Sequence, residues 1–288
     1  MKHILITGAN GQLGLTFKNI QTKYPNFNFF FATKTMLDIT NLAEVERFIV
    51  ANKINAVINC AAYTQVDNAE EEEVLANKIN HIAVENLALQ AKKHAITLIH
   101  ISTDYVFDGD SKVPYTEMCK TNPQNEYGRT KLKGEQAIQK VNPKNAIIIR
   151  TSWLYSEFNT NFVKTIRRIS KDKDKIQVVS DQIGSPTYSK DLAEAILNSI
   201  PKIKNTTTEI FHYSNKGSCS WFTFAKEIVK ISNIKCMVEP IEAINFKTKA
   251  KRPKYSLLDT NKIQNTFGID IPNWQDSLKE CICELEKK

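Results

Sequence analysis

The chain has 288 residues, of which 42% are apolar and 24% are charged, and its formal net charge is +8. This length is enough for one large domain or two smaller ones, and the composition is ordinary for a globular protein. The positive charge fits an anionic partner such as a nucleotide, and fits a lysine-rich solvated surface equally well. No basic stripe interleaved with aromatic residues occurs, so we expect no nucleic-acid partner.

Export and membrane insertion are not expected either. The apolar run within MKHILITGAN (1–10) is too short for a signal peptide. No stretch approaches the roughly 20 apolar residues that span a membrane. The six cysteines are scattered and form no CxxC pair. We therefore expect free thiols in the reducing cytoplasm, with no zinc site and no membrane partner.

Strand-like and helix-like segments alternate through the first 150 residues. Continuous apolar runs predict strands at 3–7, 28–33, 56–61, 97–102 and 146–152. Apolar spacing predicts helices at 11–24, 42–53, 71–94 and 126–141. Strands that are apolar throughout are covered on both faces, as in a parallel sheet, and the alternation is that of βαβ units. We predict an α/β fold with a Rossmann-type, doubly wound parallel sheet.

The pattern is looser after residue 150. Strand and helix still alternate across 176–189, 209–214 and 221–232, the segment 235–260 is basic and loop-like, and a last helix is predicted over 274–286. We predict a first domain at 1–154 and a smaller α/β portion at 155–288 that mainly binds the substrate. This boundary is soft, because segments near 175–185 and 205–232 are candidates for a return to the first domain.

A glycine-rich turn, GANGQLG (8–14), joins the first predicted strand to the first predicted helix. Gly8, Gly11 and Gly14 form GxxGxxG, a relative of the GxGxxG motif of dinucleotide-binding folds. Glycine permits a tight turn and close backbone approach, so that a pyrophosphate can lie at the helix N-terminus. A purely structural turn is the alternative. The position of the motif favours a domain at 1–154 that binds NADP(H).

The end of the second predicted strand bears on the choice of cofactor. NAD-preferring sites place an acidic residue there, which binds the ribose 2′-hydroxyl. This chain has ATKT (32–35) instead. Lys34, with the hydroxyls of Thr33 and Thr35, would tolerate a 2′-phosphate, so we predict NADPH, with NADH as the alternative. The alternative is that Lys34 is only a solvent-exposed loop lysine with no role in binding.

Asp38 and Ile39 follow this strand. A carboxylate beside an apolar residue suits the edge and the face of an adenine ring. Asp38 could equally be the N-cap of a helix over 40–52.

A hydroxyl, a phenol and an amine suggest catalysis. Thr103 follows the predicted strand 97–102, while Tyr127 and Lys131 lie four apart in the predicted helix 126–141 and share a face. A phenol has a reference pKa of about 10. We expect the ammonium of Lys131 to lower the pKa of Tyr127 and make it a general acid. Thr103 would bind the carbonyl oxygen on which charge develops.

The order glycine-rich turn, STD and YxxxK is that of the extended short-chain dehydrogenase/reductase superfamily. More closely, the chain resembles the dTDP-4-dehydrorhamnose reductase family nearly end to end. The segments that carry the resemblance are GANGQLG (8–14), LDIT (37–40), NCAAYTQVDNAE (59–70), STDYVFDG (102–109), YGRTKLKGE (127–135), RTSWLY (150–155), DQIGSPTY (181–188), SWFTFA (220–225) and RPKYSLLD (252–259). The resemblance implies reduction of the C4 keto group of a dTDP-sugar to give dTDP-L-rhamnose, a precursor of cell-surface polysaccharide.

The resemblance also implies roles for individual residues. At the cofactor, it implies contacts with the pyrophosphate from Asn10, Gly11 and Gln12, and with the adenine from Asp38 and Ile39. It implies contacts with the cofactor ribose from Ala62, Tyr63 and Thr64. Tyr127 and Lys131 are also implied to contact the cofactor. Asp104 and Trp153 match contacts with the sugar nucleotide, and Arg252 is implied at its diphosphate. Asn80 matches a supporting asparagine of the active site. Plain packing is the alternative for Trp153, and a bond to helix backbone is the alternative for Asn80.

Three other functions are alternatives for a chain of this pattern. A dehydratase would need a further acid/base pair, and Tyr105 stands where related dehydratases have Glu after Asp. An epimerase would retain NAD and an acidic end of the second strand, which ATKT (32–35) lacks. A non-catalytic binding subunit of the same fold would be free to lose its catalytic hydroxyls. Magnesium is used by some members of the family, although no carboxylate cluster here requires it, and a homodimer is one option for assembly.

Overall fold

The chain folds around a six-stranded sheet in a computed structural model that describes residues 1–287. The strands of this sheet are β1 (Lys2–Thr7), β2 (Phe27–Ala32), β3 (Ala56–Asn59), β4 (Thr97–Thr103), β5 (Ala146–Thr151) and, later in the chain, Glu209–Tyr213. They are all parallel, and their spatial order is the last strand, β5, β4, β3, β1 and β2. Every residue of β3 and β5 is buried, which confirms that helices cover both faces.

Helices connect these strands much as predicted. The helices of the first half are α1 (Gln12–Ile20), α2 (Leu42–Ala51), α3 (Glu73–Asn77), α4 (Ala83–His94) and α5 (Glu126–Val141). The predicted bounds of α5 are confirmed. The single helix predicted over 71–94 is instead interrupted by a π-helical turn, Lys78–Ile82. Such turns often occur at functional sites because they redirect a side chain.

Up to residue 287, the second half of the chain adds short strands and five α-helices. Its strands are β6 (Leu154–Tyr155), β7 (Lys175–Val179), β8 (Ile183–Gly184), β9 (Thr187–Tyr188), β10 (Glu209–Tyr213), β11 (Cys219–Ser220) and β12 (Met237–Ile241). Its helices are α6 (Phe162–Lys171), α7 (Ser189–Ser199), α8 (Trp221–Ile231), α9 (Asn261–Phe267) and α10 (Trp274–Glu286). The predicted bounds of α10 are confirmed, whereas α6, α7 and α9 were not predicted.

Two of these later strands bear on the predicted domain division. β10 is the sixth strand of the main sheet, beside β5. β7 pairs with β12 in a separate two-stranded sheet, which packs with α6, α8 and α10 around a second apolar core. The division at residues 154 and 155 stays a prediction. No helix within the described residues is both long and apolar enough to cross a bilayer.

Candidate active site

A cavity of about 500 Å³ opens at the carboxyl ends of the sheet. The chain runs outward from β1 to β2 and then returns to β3 on the other side of β1, and ligands bind where a sheet reverses its order in this way. The residues that line the cavity are Gly11, Gln12, Leu13, Cys60, Ala62, Thr64, Val66, Ile101, Ser102, Thr103, Asp104, Tyr105, Tyr127, Lys131, Thr151, Ser152, Trp153, Leu154, Asn159 and Thr160. The predicted catalytic residues therefore meet the glycine-rich turn in one cavity.

The glycine-rich turn is tightly packed against the loop after β3. Gly8 has a φ of +64°, and a Cβ on it would lie 2.6 Å from the backbone nitrogen of Ala61. A Cβ on Gly14 would lie 2.5 Å from the carbonyl oxygen of Gly8, so α1 can start directly on the turn only because both residues are glycine. Gly11 is the N-cap of α1 and provides no side-chain cap. The first N–H groups of α1 are thus suited to an anion, and the turn fits a dinucleotide pyrophosphate.

Gln12 and Asn10 tie this turn to the loop that follows β6. The side-chain oxygen of Gln12 accepts hydrogen bonds from Ser156 Oγ at 2.8 Å and from Asn161 Nδ2 at 2.9 Å. The carbonyl oxygen of Asn10 accepts one from Asn159 Nδ2 at 2.7 Å. The Gln12 side chain therefore braces the cavity wall, and the predicted pyrophosphate contacts of Asn10 and Gln12 stay predictions.

The segment after β2 is partly as expected. Thr33 and Thr35 share a hydrogen bond of 2.9 Å between their hydroxyls, and Lys34 is exposed. The carboxylate of Asp38 accepts hydrogen bonds from the backbone nitrogen and the hydroxyl of Thr40, at 2.9 and 2.8 Å. These bonds hold the pKa of Asp38 below its usual value.

Two details of this segment differ from the expectation. The N-cap of α2 is Asn41, which accepts from the backbone nitrogens of Ala43 and Glu44, so the alternative reading of Asp38 as N-cap is wrong. The physical reason is that α2 begins at Leu42, beyond the reach of Asp38, whose carboxylate is used by Thr40. Ile39 is only 8% exposed and packs in the core, so little of its side chain is open to an adenine.

Asn80 lies in the π-helical turn and fixes the loop after β3. Its amide accepts a hydrogen bond from the backbone nitrogen of Tyr63 at 2.9 Å and donates one to the carbonyl oxygen of Tyr63 at 3.0 Å. It also donates to Thr130 Oγ1 in α5 at 3.1 Å. Asn80 is fully buried, so it supports the loop rather than entering the cavity, and the alternative of a bond only to helix backbone is wrong. Ala62 and Thr64, on either side of Tyr63, line the cavity.

Thr103 lies at the end of β4 and Tyr127 at the start of α5, on the same cavity wall. The Thr103 hydroxyl donates to Asp104 Oδ1 at 3.0 Å and accepts from the backbone nitrogen of Tyr105 at 3.2 Å. Burial raises the pKa of Tyr127 to about 12, a hydrogen bond with Thr103 acts to lower it, and the charge of Asp104 acts to raise it. Burial also raises the pKa of Asp104 to about 6, against hydrogen bonds with Ser256 and Thr103.

Lys131 is not arranged as the sequence suggested. Its Nζ donates to the carbonyl oxygen of Ile101 at 2.6 Å and lies 3.2 Å from Nε2 of His100. Burial lowers the pKa of Lys131 to about 8. The expectation that Lys131 lowers the pKa of Tyr127 is wrong for this structure, because burial of the phenol dominates and the amine is directed at β4.

Trp153 forms the opposite wall. Its ring is stacked on Trp221 with 3.5 Å between the centroids and 11° between the planes, and its φ is +48°. The left-handed backbone is unusual for a bulky residue and is typical of functional positions. Trp153 is thus packed against Trp221 and also lines the cavity, so packing and a place in the cavity wall are both observed.

Arg252 lies beside the cavity rather than in its lining. It donates to both carboxylate oxygens of Asp67, from Nη1 at 3.0 Å and from Nη2 at 2.7 Å. Tyr105 lies between Arg252 and the cavity. The charge of Arg252 acts to lower the pKa of Tyr105, and the Tyr105 ring packs edge-on against that of Tyr127 with 5.6 Å between the centroids. The predicted diphosphate contact of Arg252 stays a prediction.

Several lining residues were not predicted from the sequence. Cys60, Ser152 and Leu154 flank predicted residues inside the quoted segments, so the signal was present but unused. The loop residues Asn159 and Thr160 had no sequence signal, because nothing in that segment indicates that it folds back to the glycine-rich turn. Among residues 1–287, no group of three or more His, Cys, Asp or Glu side chains could hold a metal ion. All six cysteines are free.

Comparisons with known proteins agree with this geometry. The family model described as "RmlD substrate binding domain" matches residues 1–287. A dTDP-4-dehydrorhamnose reductase of Aggregatibacter actinomycetemcomitans is 39% identical, over 97% of this chain and 98% of that protein. A crystal structure of a dTDP-4-dehydrorhamnose reductase from Clostridium acetobutylicum is 44% identical, with a TM-score of 0.93 over 99% of both chains.

A crystal structure of a dTDP-4-dehydrorhamnose reductase from Bacillus anthracis contains NADP. It is 40% identical, with a TM-score of 0.92 over 99% of this chain and 100% of that chain. The similarity spans the glycine-rich turn, the cavity and the second half of the chain alike. The chain therefore belongs to the RmlD family, together with the dTDP-4-dehydrorhamnose reductases.

Proposed function

We propose that the protein reduces the C4 keto group of dTDP-4-dehydro-L-rhamnose with NAD(P)H to give dTDP-L-rhamnose, a nucleotide sugar for cell-surface polysaccharide. The observation that carries the proposal is the convergence of Thr103, Tyr127 and Lys131 with the glycine-rich turn in one cavity. Membership of the RmlD family, with dTDP-4-dehydrorhamnose reductases matched end to end, supports the choice of substrate.

The cofactor is proposed to be NADPH, with NADH as the weaker alternative. Its pyrophosphate would lie at the uncapped N-terminus of α1, next to Gly11. Lys34 and the paired hydroxyls of Thr33 and Thr35 would bind the 2′-phosphate. The NADP in the relative from Bacillus anthracis supports this choice. When bound, the cofactor supplies the hydride.

Tyr127 is proposed to donate the proton to the carbonyl oxygen of the sugar. A pKa raised to about 12 keeps the phenol protonated at neutral pH, which is the form a proton donor needs. The proton would leave only as negative charge develops on the sugar oxygen. Lys131, one helical turn away on the same face of α5, would hold the nicotinamide ribose.

Thr103 is proposed to orient the carbonyl with a hydrogen bond that strengthens as charge develops. In the structure the Thr103 hydroxyl donates its hydrogen bond to Asp104. To donate to the sugar instead, the hydroxyl would have to rotate away from Asp104. Asp104 and Trp153 would contact the sugar nucleotide from the cavity walls. Arg252 would pair with the diphosphate while Asp67 keeps the guanidinium in place.

The direct experiment is product analysis. The purified protein is incubated with dTDP-4-dehydro-L-rhamnose and NADPH, and the sugar nucleotide is identified by NMR. The proposal requires dTDP-L-rhamnose. The C4 keto sugar of gluco configuration, dTDP-4-dehydro-6-deoxy-D-glucose, is the matched control substrate, and a faster reduction of that sugar would contradict the proposed specificity.

Two further features belong to this proposal. Residues 1–154 would mainly bind the cofactor and residues 155–288 mainly the substrate. The six free thiols suit a cytoplasmic enzyme. Analytical ultracentrifugation would distinguish a monomer from a homodimer.

A further inference from the structure

Three buried polar side chains form a row behind Lys131. Thr7 of β1 is paired in register with Asn59 of β3, and Asn59 with His100 of β4. Their relative exposures are 1%, 1% and 0%. Thr7 Oγ1 donates to Asn59 Oδ1 at 2.6 Å, Asn59 Nδ2 lies 3.0 Å from His100 Nδ1, and His100 Nε2 lies 3.2 Å from Lys131 Nζ. The row crosses the centre of the sheet and ends at the amine.

The backbone decides how the Asn59 amide is oriented. The N–H of Ala61 donates to Asn59 Oδ1 at 3.2 Å. A backbone N–H can only donate, so the oxygen of the amide must face Ala61 and the NH₂ group must face His100. A flipped amide would set two donors against each other. Asn59 is therefore held in a single orientation.

The orientation of Asn59 in turn decides the tautomer of His100. An amide NH₂ can only donate, so Nδ1 of His100 must accept and carries no proton. Burial holds the pKa of His100 well below its ordinary value, so the ring is neutral. The single proton of the neutral ring is then on Nε2, which faces Lys131 Nζ.

An Nε2–H opposite Lys131 has a chemical consequence. An ammonium has three donors and no acceptor, whereas an uncharged amine has two donors and one lone pair. The uncharged amine satisfies both contacts, since it donates to the Ile101 carbonyl oxygen and accepts from His100. The ammonium form of Lys131 has no lone pair to accept from the Nε2–H of His100, so the two donors and the positive charge would repel each other.

The other groups that face Lys131 do not reverse this preference. Cys60, after β3, has its thiol pKa raised by burial, so the thiol is uncharged. Glu135, one turn further along α5, favours the charged form of Lys131. Its carboxylate is already bound by Arg150 in a buried ion pair, at 2.6 Å from Nη2 and 3.0 Å from Nε.

We propose that His100 is a positioning residue: held by Asn59 as its Nε2–H tautomer, it fixes Lys131 at the Ile101 carbonyl and opposes protonation of the amine. His100 thereby sets the pH at which Lys131 takes up its proton. For the reaction, this part rests on the proposed function: a charged Lys131 is the stronger donor to the nicotinamide ribose, so His100 limits the reduction on the alkaline side.

The tautomer is tested on the unaltered protein. The five histidines are labelled with ¹⁵N, and His100 is assigned by the loss of its signals in His100→Asn. We expect a pyridine-type Nδ1 and a pyrrole-type Nε2 that persist from pH 6 to pH 10. A pyrrole-type Nδ1, or an imidazolium signal near neutral pH, would overturn the inference. Neither readout needs turnover, so this result stands or fails apart from the proposed function.

The effect on Lys131 is tested with His100→Asn. Its side-chain oxygen can replace Nδ1 as the acceptor for Asn59 but cannot reach Lys131. We expect the ¹³Cε titration midpoint of Lys131 to move upward by about half a unit or more, and the alkaline limb of kcat/KM to move with it. A midpoint that is unchanged or lower contradicts the proposal. His94→Asn, on α4 and away from the cavity, is the matched control and should leave both midpoints in place.

Discussion

Glu135 and Arg150 form a buried ion pair between α5 and β5, with 2.6 Å between Oε2 and Nη2 and side-chain exposures of 1% and 3%. Ser102, at the end of β4, donates a further hydrogen bond of 2.5 Å to Oε1. Glu135 therefore joins the helix of Tyr127 and Lys131 to β5 through Arg150, and to the strand of Thr103 through Ser102. It lies one turn from Lys131, outside the cavity lining, and holds the catalytic elements together.

Glu135→Gln should destabilise the protein strongly. The change leaves the guanidinium of Arg150 buried without its counter-charge, which typically costs about 3–5 kcal/mol. The measurement is the free energy of unfolding in urea. Glu46→Gln is the matched control, because Glu46 pairs with Lys93 on the surface, where solvent screens the two charges and the pair contributes little to stability. Similar losses in the two variants would contradict the role given to the buried pair.

Lys34→Ala should raise the KM for NADPH more than the KM for NADH. Lys34 is exposed beside the paired hydroxyls of Thr33 and Thr35, where the proposed binding mode would place the 2′-phosphate that NADPH has and NADH lacks. The loss of one charge-assisted contact corresponds to roughly 1.5–3 kcal/mol, or about 10- to 150-fold in KM. Lys112→Ala, another exposed lysine, is the control and should change neither constant. Equal effects of Lys34→Ala on the two cofactors would contradict the assignment.

Arg252→Ala should weaken binding of the sugar nucleotide and leave NADPH binding unchanged. The guanidinium is oriented by Asp67 and lies near Tyr105, which lines the cavity. Asp67→Asn keeps the cation but loosens it, so its effect should be smaller. Both affinities are measured by calorimetry. Loss of NADPH binding with retained sugar-nucleotide binding would place Arg252 at the wrong end of the site.

The stability of the protein should depend on Asp104 in a pH-dependent way. Burial raises the folded-state pKa of Asp104 to about 6, above the unfolded value of about 3.8. Between these values the folded state holds a proton that the unfolded state has released, so this group makes folding less favourable as the pH rises from 4 to 6, by about 2–3 kcal/mol in full.

Asp104→Asn cannot titrate and should remove this dependence. We expect the free energy of unfolding of the variant minus that of the parent to be larger at pH 7 than at pH 4. Urea unfolding of both proteins at the two pH values measures this difference. A difference between variant and parent that does not change with pH would show that Asp104 ionises normally.

Much of the fold follows from local patterns in the sequence. The helix at 126–141 and the last helix at 274–286 have clear apolar periodicity, and the buried strands are continuous apolar runs. The glycine-rich turn was placed correctly because its neighbours are a strand and a helix. The π-helical turn at Lys78–Ile82 was not predicted, and its residue Asn80 binds the backbone of Tyr63 in another loop, a contact that local apolar spacing does not show.

The finer features of the site depend on contacts between distant residues. Asp67 and Arg252 are 185 residues apart in the sequence, and no local signal links them. The direction of Lys131 depends on His100 and Ile101, which the YxxxK spacing does not include. The pKa of Tyr127 was predicted in the wrong direction because the sequence shows charge but not burial.

The measurement that tests the account most directly is kcat for Tyr127→Phe with dTDP-4-dehydro-L-rhamnose, beside a fluorescence titration of NADPH. The change deletes one oxygen and keeps the ring against Tyr105. A lost general acid typically lowers the rate by about 10²–10⁴-fold, and Thr103→Val should lower it less, while both variants still bind NADPH. Turnover of Tyr127→Phe near that of the unaltered protein would contradict the mechanism and favour a binding protein in which the YxxxK motif has no catalytic role.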